Sequence, residues 1–455
     1  MRVPFADAKV NETKALQAAP VRLLTIRKGK DRAGRLGNGT PFHKACMEIR
    51  AQKKEPVSAP FSPAHPGFVF LNLAYFLAFS NVAFFYLYPL ALDAMGAGSR
   101  TIGWVMGVFS LIAVLSRPFM GRIGGRHGEF RLMSAGMVVM LAATACYPFL
   151  ERVGPILLSV RGVHGLGFSA FVAGSFSAVA RLFSEERRAQ AYGIVGASLM
   201  AAVALAPLLG ELLLGRWGFD ALYGAACGVV ALGWIAVRKA ARRAGEGVMR
   251  RAERRVVYRP FLRDVSFLFL LLSTVIFGHC QSTVFNFLAL WAEETDASAG
   301  GFFFVAFTLA IGILLTSGRA IDRWGKRRFL RLSYPVFGSG LLLIPPLFGC
   351  FGGWIPALLF GAGMGFLFPA HNALAAEHGG ASGKAGAMAL FTAVYDSGFI
   401  TGPVLSGAVA SWIGLERLFT ITGGTALLGF IVCLAAPIRE RQDRSKAFSE
   451  GMRHG

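Results

Sequence analysis

The chain has 455 residues, of which 54% are hydrophobic and only 16% charged; a soluble domain usually carries about 25% charged residues. Apolar runs recur from Phe68 onward, each near the ~20 residues that cross a ~30 Å bilayer core, so the composition excludes a soluble protein and indicates a polytopic helical membrane protein. The net charge of +22 invites a nucleic-acid partner, but the basic residues sit in every second gap between apolar runs, which is a topology signal and excludes nucleic-acid binding.

Residues 1–66 are polar and basic. No apolar segment follows the first basic residues, so this is not a signal peptide. It reads as a disordered tail, or as an over-long gene model whose true start is Met47. Twelve spans follow, at about 68–92, 101–120, 132–150, 154–180, 190–213, 219–237, 265–291, 301–318, 332–350, 355–376, 386–410 and 418–437. They divide into a six-helix bundle over 67–237, a basic linker over 238–264, a second bundle over 265–438 and a tail over 439–455. The gaps at 121–131, 181–189, 238–264, 319–331 and 377–385 hold 23 Lys and Arg residues, and the alternate gaps hold only Arg100, Arg152, Arg216 and Arg417. The excess places both termini and the basic gaps in the cytoplasm. The linker, with Arg250-Arg251 and Arg254-Arg255, is either a surface helix on anionic lipid headgroups or a solvated loop that fixes topology. The six cysteines show no metal or CxxC spacing and read as small apolar side chains.

The two halves repeat. The basic segment Gly318 to Arg328 has a worn copy at Gly121 to Arg131. Asn81 in span 1 falls on Gln281 in span 7, Gly165-Leu166-Gly167 in span 4 on Gly363-Met364-Gly365 in span 10, and Pro207 in span 5 on Pro403 in span 11. Two parallel six-helix repeats are a transporter signature, with a site at mid-membrane between them.

At these residues, over about 66–438, the chain resembles the major facilitator superfamily. Gly318 to Arg328 fits the family's cytoplasmic loop pattern, G-x-x-x-D-R-x-G-[RK]-[RK]. Arg161-Gly162-Val163-His164-Gly165-Leu166-Gly167 fits its span-4 pattern, R-x-x-x-G-x-G. Gly398, Gly402, Pro403 and Gly407 give span 11 the glycine-proline pattern that the family shows in span 5. Span 5 keeps Gly193, Pro207 and Gly210, but has Ala202, Ala206 and Glu211 where glycines would stand. The resemblance implies an all-α fold of twelve transmembrane helices in two pseudo-symmetric bundles. It also implies that the loop aspartate, Asp322, holds the halves together against a helix N-terminus near Ala189 and Gln190, where a carboxylate is favoured. The front copy has Gly125 in its place, so the gate is expected to be asymmetric. The gating residues are then Gly318, Arg319, Asp322, Arg323, Gly325, Lys326 and Arg327, with Gly121, Arg122 and Arg126 in the weaker copy.

Charge inside a membrane is costly and marks function. Of 25 acidic residues, only Asp396 lies well inside a span, and Arg161 reads as the only basic residue of comparable depth. By resemblance Arg161 is linked to proton coupling. Asp396 is a candidate protonation site because burial favours the neutral acid; for both residues a structural hydrogen bond or ion pair between helices is the competing role. The two are not expected to pair, since spans 4 and 11 belong to opposite halves. Candidate substrate contacts are Asn81, Tyr86, His164, His279, Gln281, Asn286, His371, Asn372 and Tyr395; for each, an interhelical hydrogen bond is the competing role. No P-loop, HExxH or GxSxG motif is present, so the chain encodes no engine for ATP hydrolysis; it is not an enzyme and needs no cofactor or metal. The reading is a monomeric secondary transporter of the bacterial inner membrane. It works by alternating access among membrane lipids and couples protons to efflux of a small organic solute. The rivals are a proton-coupled importer and a membrane sensor.

Overall fold

In the computed structural model, residues 63–244, 259–318, 323, 325–349 and 353–437 are described, and every regular element among them is helical. The tail 1–62, the linker residues 245–258, Arg319, Asp322 and the C-terminal residues 438–455 lie outside the described residues.

Among the described residues, twelve helices run between the two faces. In the first half they are α1 (Pro66–Ala94), α2 (Ser99–His127), α3 (Glu129–Cys146), α4 (Pro155–Leu182), α5 (185–217) and α6 (219–244). In the second they are α7 (Val265–Glu294), α8 (Ala299–Thr316), α9 (Lys326–Leu342), α10 (Trp354–His378), α11 (380–413) and α12 (415–435). Among the described residues, nine stretches are long and apolar enough to span a membrane by themselves, and two of these are double-length. The double stretches turn at Gly218 (φ 76°) and Gly414 (φ 82°). The turns into α3 and α9 use Gly128 (φ 95°) and Gly325 (φ 96°). A Cβ at any of the four would meet nothing within 4 Å, so the sign of φ, and not space, selects glycine there. α9 completes the twelve; its first residues are Lys326, Arg327 and Arg328, and a short helix, Ile344–Leu347, continues it.

The front copy of the basic segment is therefore not a hairpin beginning at Gly121. Helix α2 runs through Gly121, Gly124 and Gly125 and ends with Arg126 and His127 in its last turn, where cations are favoured by the helix dipole. The matching turn residues are Gly128 and Gly325. α1 is tightened into a 3-10 turn at Phe85–Leu87, just before Pro89, which has no amide hydrogen to donate.

Small residues set the packing within each half. A Cβ on Gly165 would meet the Phe109 carbonyl of α2 at 2.4 Å, and one on Gly167 would meet Gly136 O of α3 at 2.8 Å. In α10 the same two roles fall to Gly361, against Ala306 O of α8 at 2.2 Å, and Gly363, against Phe337 of α9 at 2.5 Å. The structural repeat therefore pairs Gly165–Gly167 with Gly361–Gly363, two residues earlier than the sequence match.

We call the side carrying the basic connections, the start of α1 and the end of α12 the basic face, and the other the opposite face. The two bundles meet along α2–α11, along α5–α8, and where the last turns of α1 reach α7.

Candidate transport path and proton site

Arg161 is buried inside the first bundle. Its guanidinium lies 5.2 Å from the ring centre of Phe85, 5.4 Å from Tyr88 and 4.9 Å from Phe109. It also donates to the Tyr147 hydroxyl at 3.5 Å and to Met106 Sδ at 3.3 Å. No carboxylate pairs with it among the described residues; ring faces offset part of the desolvation cost of the charge. His164 and Asn81, both fully buried, belong to the same interior network. His164 Nε2 lies 2.8 Å from Asn81 Oδ1, and its Nδ1 lies 3.3 Å from the Tyr147 hydroxyl. The Asn81 amide donates to Thr144 Oγ1 at 3.2 Å and to the Ala226 carbonyl at 3.1 Å. These bonds tie α1, α3, α4 and α6 together and leave neither side chain facing the second bundle.

The second bundle has its own interior network at His371, which is also fully buried. Its Nδ1 sits 2.9 Å from the Leu367 carbonyl, and its Nε2 lies 3.1 Å from Ser273 Oγ and 3.4 Å from the Tyr334 hydroxyl. Asn286 and Asn372 each donate to a carbonyl of their own helix, Ser282 at 2.6 Å and Phe368 at 3.0 Å. His279 reaches Thr401 Oγ1 of α11 at 3.4 Å.

Rings meet across the boundary between the bundles. Tyr86 of α1 stacks on Phe285 of α7 at 4.6 Å and lies 5.7 Å from Phe303 of α8. Phe285 leads to Phe399 of α11 at 5.9 Å, and Phe399 to Tyr395 at 5.3 Å. Tyr395 donates to Gln281 Oε1 at 2.6 Å. Asn81 and Gln281, matched in sequence, thus differ in place: one is locked inside its bundle, the other braces this aromatic row.

Beside Tyr395, Asp396 forms an ion pair with Arg117 of α2, across the boundary between the bundles. Arg117 lies about 27 Å along α2 from the opposite face, so it is a second intramembrane cation. Arg161 is accordingly not alone at depth. The separation of Asp396 from Arg161 holds, and the partner from the other half is Arg117. Both side chains of the pair keep some exposure, 26% for Arg117 and 17% for Asp396.

The bundle seams are tightest toward the opposite face. A Cβ on Gly103 would meet the Pro403 carbonyl at 2.3 Å, and one on Gly407 would meet Ser99 O at 2.6 Å. Span 11 is wedged, because a Cβ on Gly398 or Gly402, on its other side, would lie 2.6 Å from Gly278 or Ser282 of α7. In the other seam, Glu211 of α5 accepts hydrogen bonds from Ser298 and Gly300 of α8.

At the basic face, Gly121, Arg122, Arg126, Gly318 and Arg323 are exposed. Arg327 donates to Ser266 Oγ at 2.9 Å and to the Pro437 carbonyl at 3.1 Å, within its own bundle. Lys326 pairs with Glu377 at 2.6 Å. At the equivalent place in the first bundle, Glu129 pairs with Arg181, so the repeat keeps the ion pair and reverses its charges. The expected contact of Asp322 near Ala189 and Gln190 lies outside the described residues.

The Major Facilitator Superfamily profile matches residues 68–379 and 294–454. The chain belongs to this family. It is a multi-pass membrane protein and a transporter. Among known relatives, it is 23% identical over 356 residues to the multi-drug resistance efflux pump PmrA homolog of Lactococcus lactis, covering 74% of this chain and 86% of that one. It is 24% identical over 338 residues to a chloramphenicol resistance protein of Pseudomonas aeruginosa, covering 71% and 78%. The nucleoside transporter NupG shares the fold with a TM-score of 0.67 at 13% identity, covering 82% of this chain and 100% of that one. A bacterial homolog of the human lysosomal transporter Spinster, solved inward-facing and unoccupied, does so with a TM-score of 0.65 at 15% identity, covering 83% and 98%.

The sequence reading missed Arg117 and the cross-bundle role of Glu211. Arg117 carries a readable signal: it stands four residues before Gly121, directly after a long apolar run.

Proposed function

We propose that the protein exports small aromatic or apolar organic solutes from the cytoplasm of a bacterium in exchange for protons. The observation that carries this reading is the Arg117–Asp396 pair, the ionised contact between the bundles at bilayer depth. Neutralising Asp396 removes the attraction across α2 and α11 and frees the bundles to move; losing the proton restores it. The aromatic row from Tyr86 to Tyr395 gives a flat apolar solute ring faces to stack on, and it ends beside the acid. Seams packed tightly toward the opposite face fit a state open to the basic face.

The excess of Lys and Arg in the basic connections supports a cytoplasmic basic face in the inner membrane. Efflux is supported by the names of the resistance relatives and by the glycine-proline pattern of span 11. Arg161 is assigned a supporting part, holding the first bundle's polar interior together. The Gly318–Arg328 loop, with Asp322, is assigned the basic-face gate, and the protein works as a monomer.

Everted membrane vesicles test the reading. An acid lumen should drive accumulation of a fluorescent aromatic dye, and Asp396→Asn should abolish it. Dye uptake seen only in whole cells would reverse the direction and make this an importer. No flux of any solute across a broad panel in proteoliposomes would favour the sensor.

A further inference from the structure

Glu211 stands where the family's span-5 pattern has a glycine, and the proton site has no use for it. It lies at the opposite-face end of α5 in the first bundle, and its partners belong to the second. Glu211 Oε2 accepts from Ser298 Oγ at 2.6 Å and from the Gly300 amide at 2.8 Å. Ser298 is the N-cap of α8, and its Oγ also accepts from the Gly301 amide at 2.7 Å. The first turn of α8 has amide hydrogens with no partner inside the helix. One is satisfied by its own cap and another by a carboxylate from the other bundle. An anion at a helix N-terminus is favoured by the dipole, and its hydrogen bonds are charge-assisted.

The backbones touch at the same point. A Cβ on Gly300 would lie 2.5 Å from Glu211 Oε2 and 2.6 Å from Leu208 Cα. In the pseudo-equivalent seam, Gly407 of α11 occupies the position of Glu211 and meets the Ser99 carbonyl of α2, with no polar side chain in between.

We propose that Glu211 is the latch of the opposite-face gate. Its carboxylate caps α8 of the other bundle while that face is closed, and it surrenders both donors when the bundles part there. The proposal rests on the alternating movement of the two bundles; it does not depend on proton coupling or on the solute.

Spin labels at Glu151→Cys and Glu416→Cys report separation of the bundles at the opposite face, and labels at Arg243→Cys and Lys384→Cys report it at the basic face. Both pairs are placed in a background without the six native cysteines, and distances are measured by pulsed electron resonance in nanodiscs. Glu211→Ala should raise the ratio of wide to narrow distances at the opposite face roughly five- to tenfold, as loss of a helix cap does, with a matching narrowing at the basic face. Gly300→Ala, which inserts a methyl into the contact, should shift both pairs in the same directions, and Ser298→Ala should do so by less. A variant that merely loosens α5 would broaden one distribution without the reciprocal change, and that result would overturn the proposal. So would unchanged distributions in Glu211→Ala, or opening by Gly300→Ala alone. If Glu211→Ala does not fold, Ser298→Ala and Gly300→Ala decide together: both must shift the two pairs reciprocally.

Discussion

The two long seams between the bundles are related by the internal repeat, yet they are held by different chemistry. Along α2–α11 the backbones are in direct contact at Gly103, Pro403 and Gly407, and the charge lies deeper, at Arg117 and Asp396. Along α5–α8 the polar contact is at the opposite-face end, where Glu211 caps α8, and farther in the helices stand apart: a Cβ on Gly196 would come no closer than 4.0 Å to Leu314. The fold repeats the backbone, and side chains distribute the work. One seam carries an ion pair inside the bilayer, which in the proposed function a proton switches off. The other carries a latch at its rim.

The largest effect should come from reversing charge in the first seam. Asp396→Lys sets two cations together at bilayer depth, and pH-driven transport should fall by about 100-fold or more, since a buried charge without its partner costs roughly 3–5 kcal/mol. Adding Arg117→Glu to it should recover measurable flux, which a dye-accumulation assay can follow. Recovery would show that the pair acts as a pair.

A glycine comparison separates the seams next. Gly407→Ala pushes a methyl against the Ser99 carbonyl and should cost about tenfold in transport rate, as overpacking does. Gly196→Ala, in the looser part of the other seam, should stay within about twofold. Initial rates at matched expression measure both.

The reversed ion pairs at the basic face allow a third contrast, read as thermal unfolding in detergent. Arg181→Ala strands Glu129, which is only 3% exposed, and should destabilise the first bundle by about 3 kcal/mol or more. Lys326→Ala removes the equivalent pair in the second bundle, where Glu377 is 44% exposed, and should cost no more than about 1 kcal/mol. The smallest effect is expected at Asn372, whose amide bonds only its own helix; Asn372→Ala should transport within about twofold of the native protein.

Much of the architecture could be read from the chain, because a bilayer imposes length and charge rules that act locally. Twelve spans and two repeats follow from apolar run lengths and from the placement of Lys and Arg. Side-chain direction does not follow, and there the reading was weakest. Asn81 and Gln281 match in register, but one turns into its bundle and the other braces Tyr395, because packing with α3, α4 and α6 decides the first. Arg117 falls inside the predicted span 101–120 but near its end, beside a basic gap that is in fact the last turns of α2, so the span boundaries do not show its depth. Glu211 looked like decay of a glycine pattern; its partners lie 87 and 89 residues away on a helix that only the folded chain brings near.

The central claim is that Asp396, paired with Arg117, couples movement of the bundles to a proton. Native protein and Asp396→Asn, reconstituted in proteoliposomes, can be compared in two modes: accumulation of dye driven by a pH gradient, and exchange of labelled for unlabelled dye with no gradient. Asp396→Asn should keep exchange and lose accumulation. Accumulation at the native level by Asp396→Asn would contradict the account.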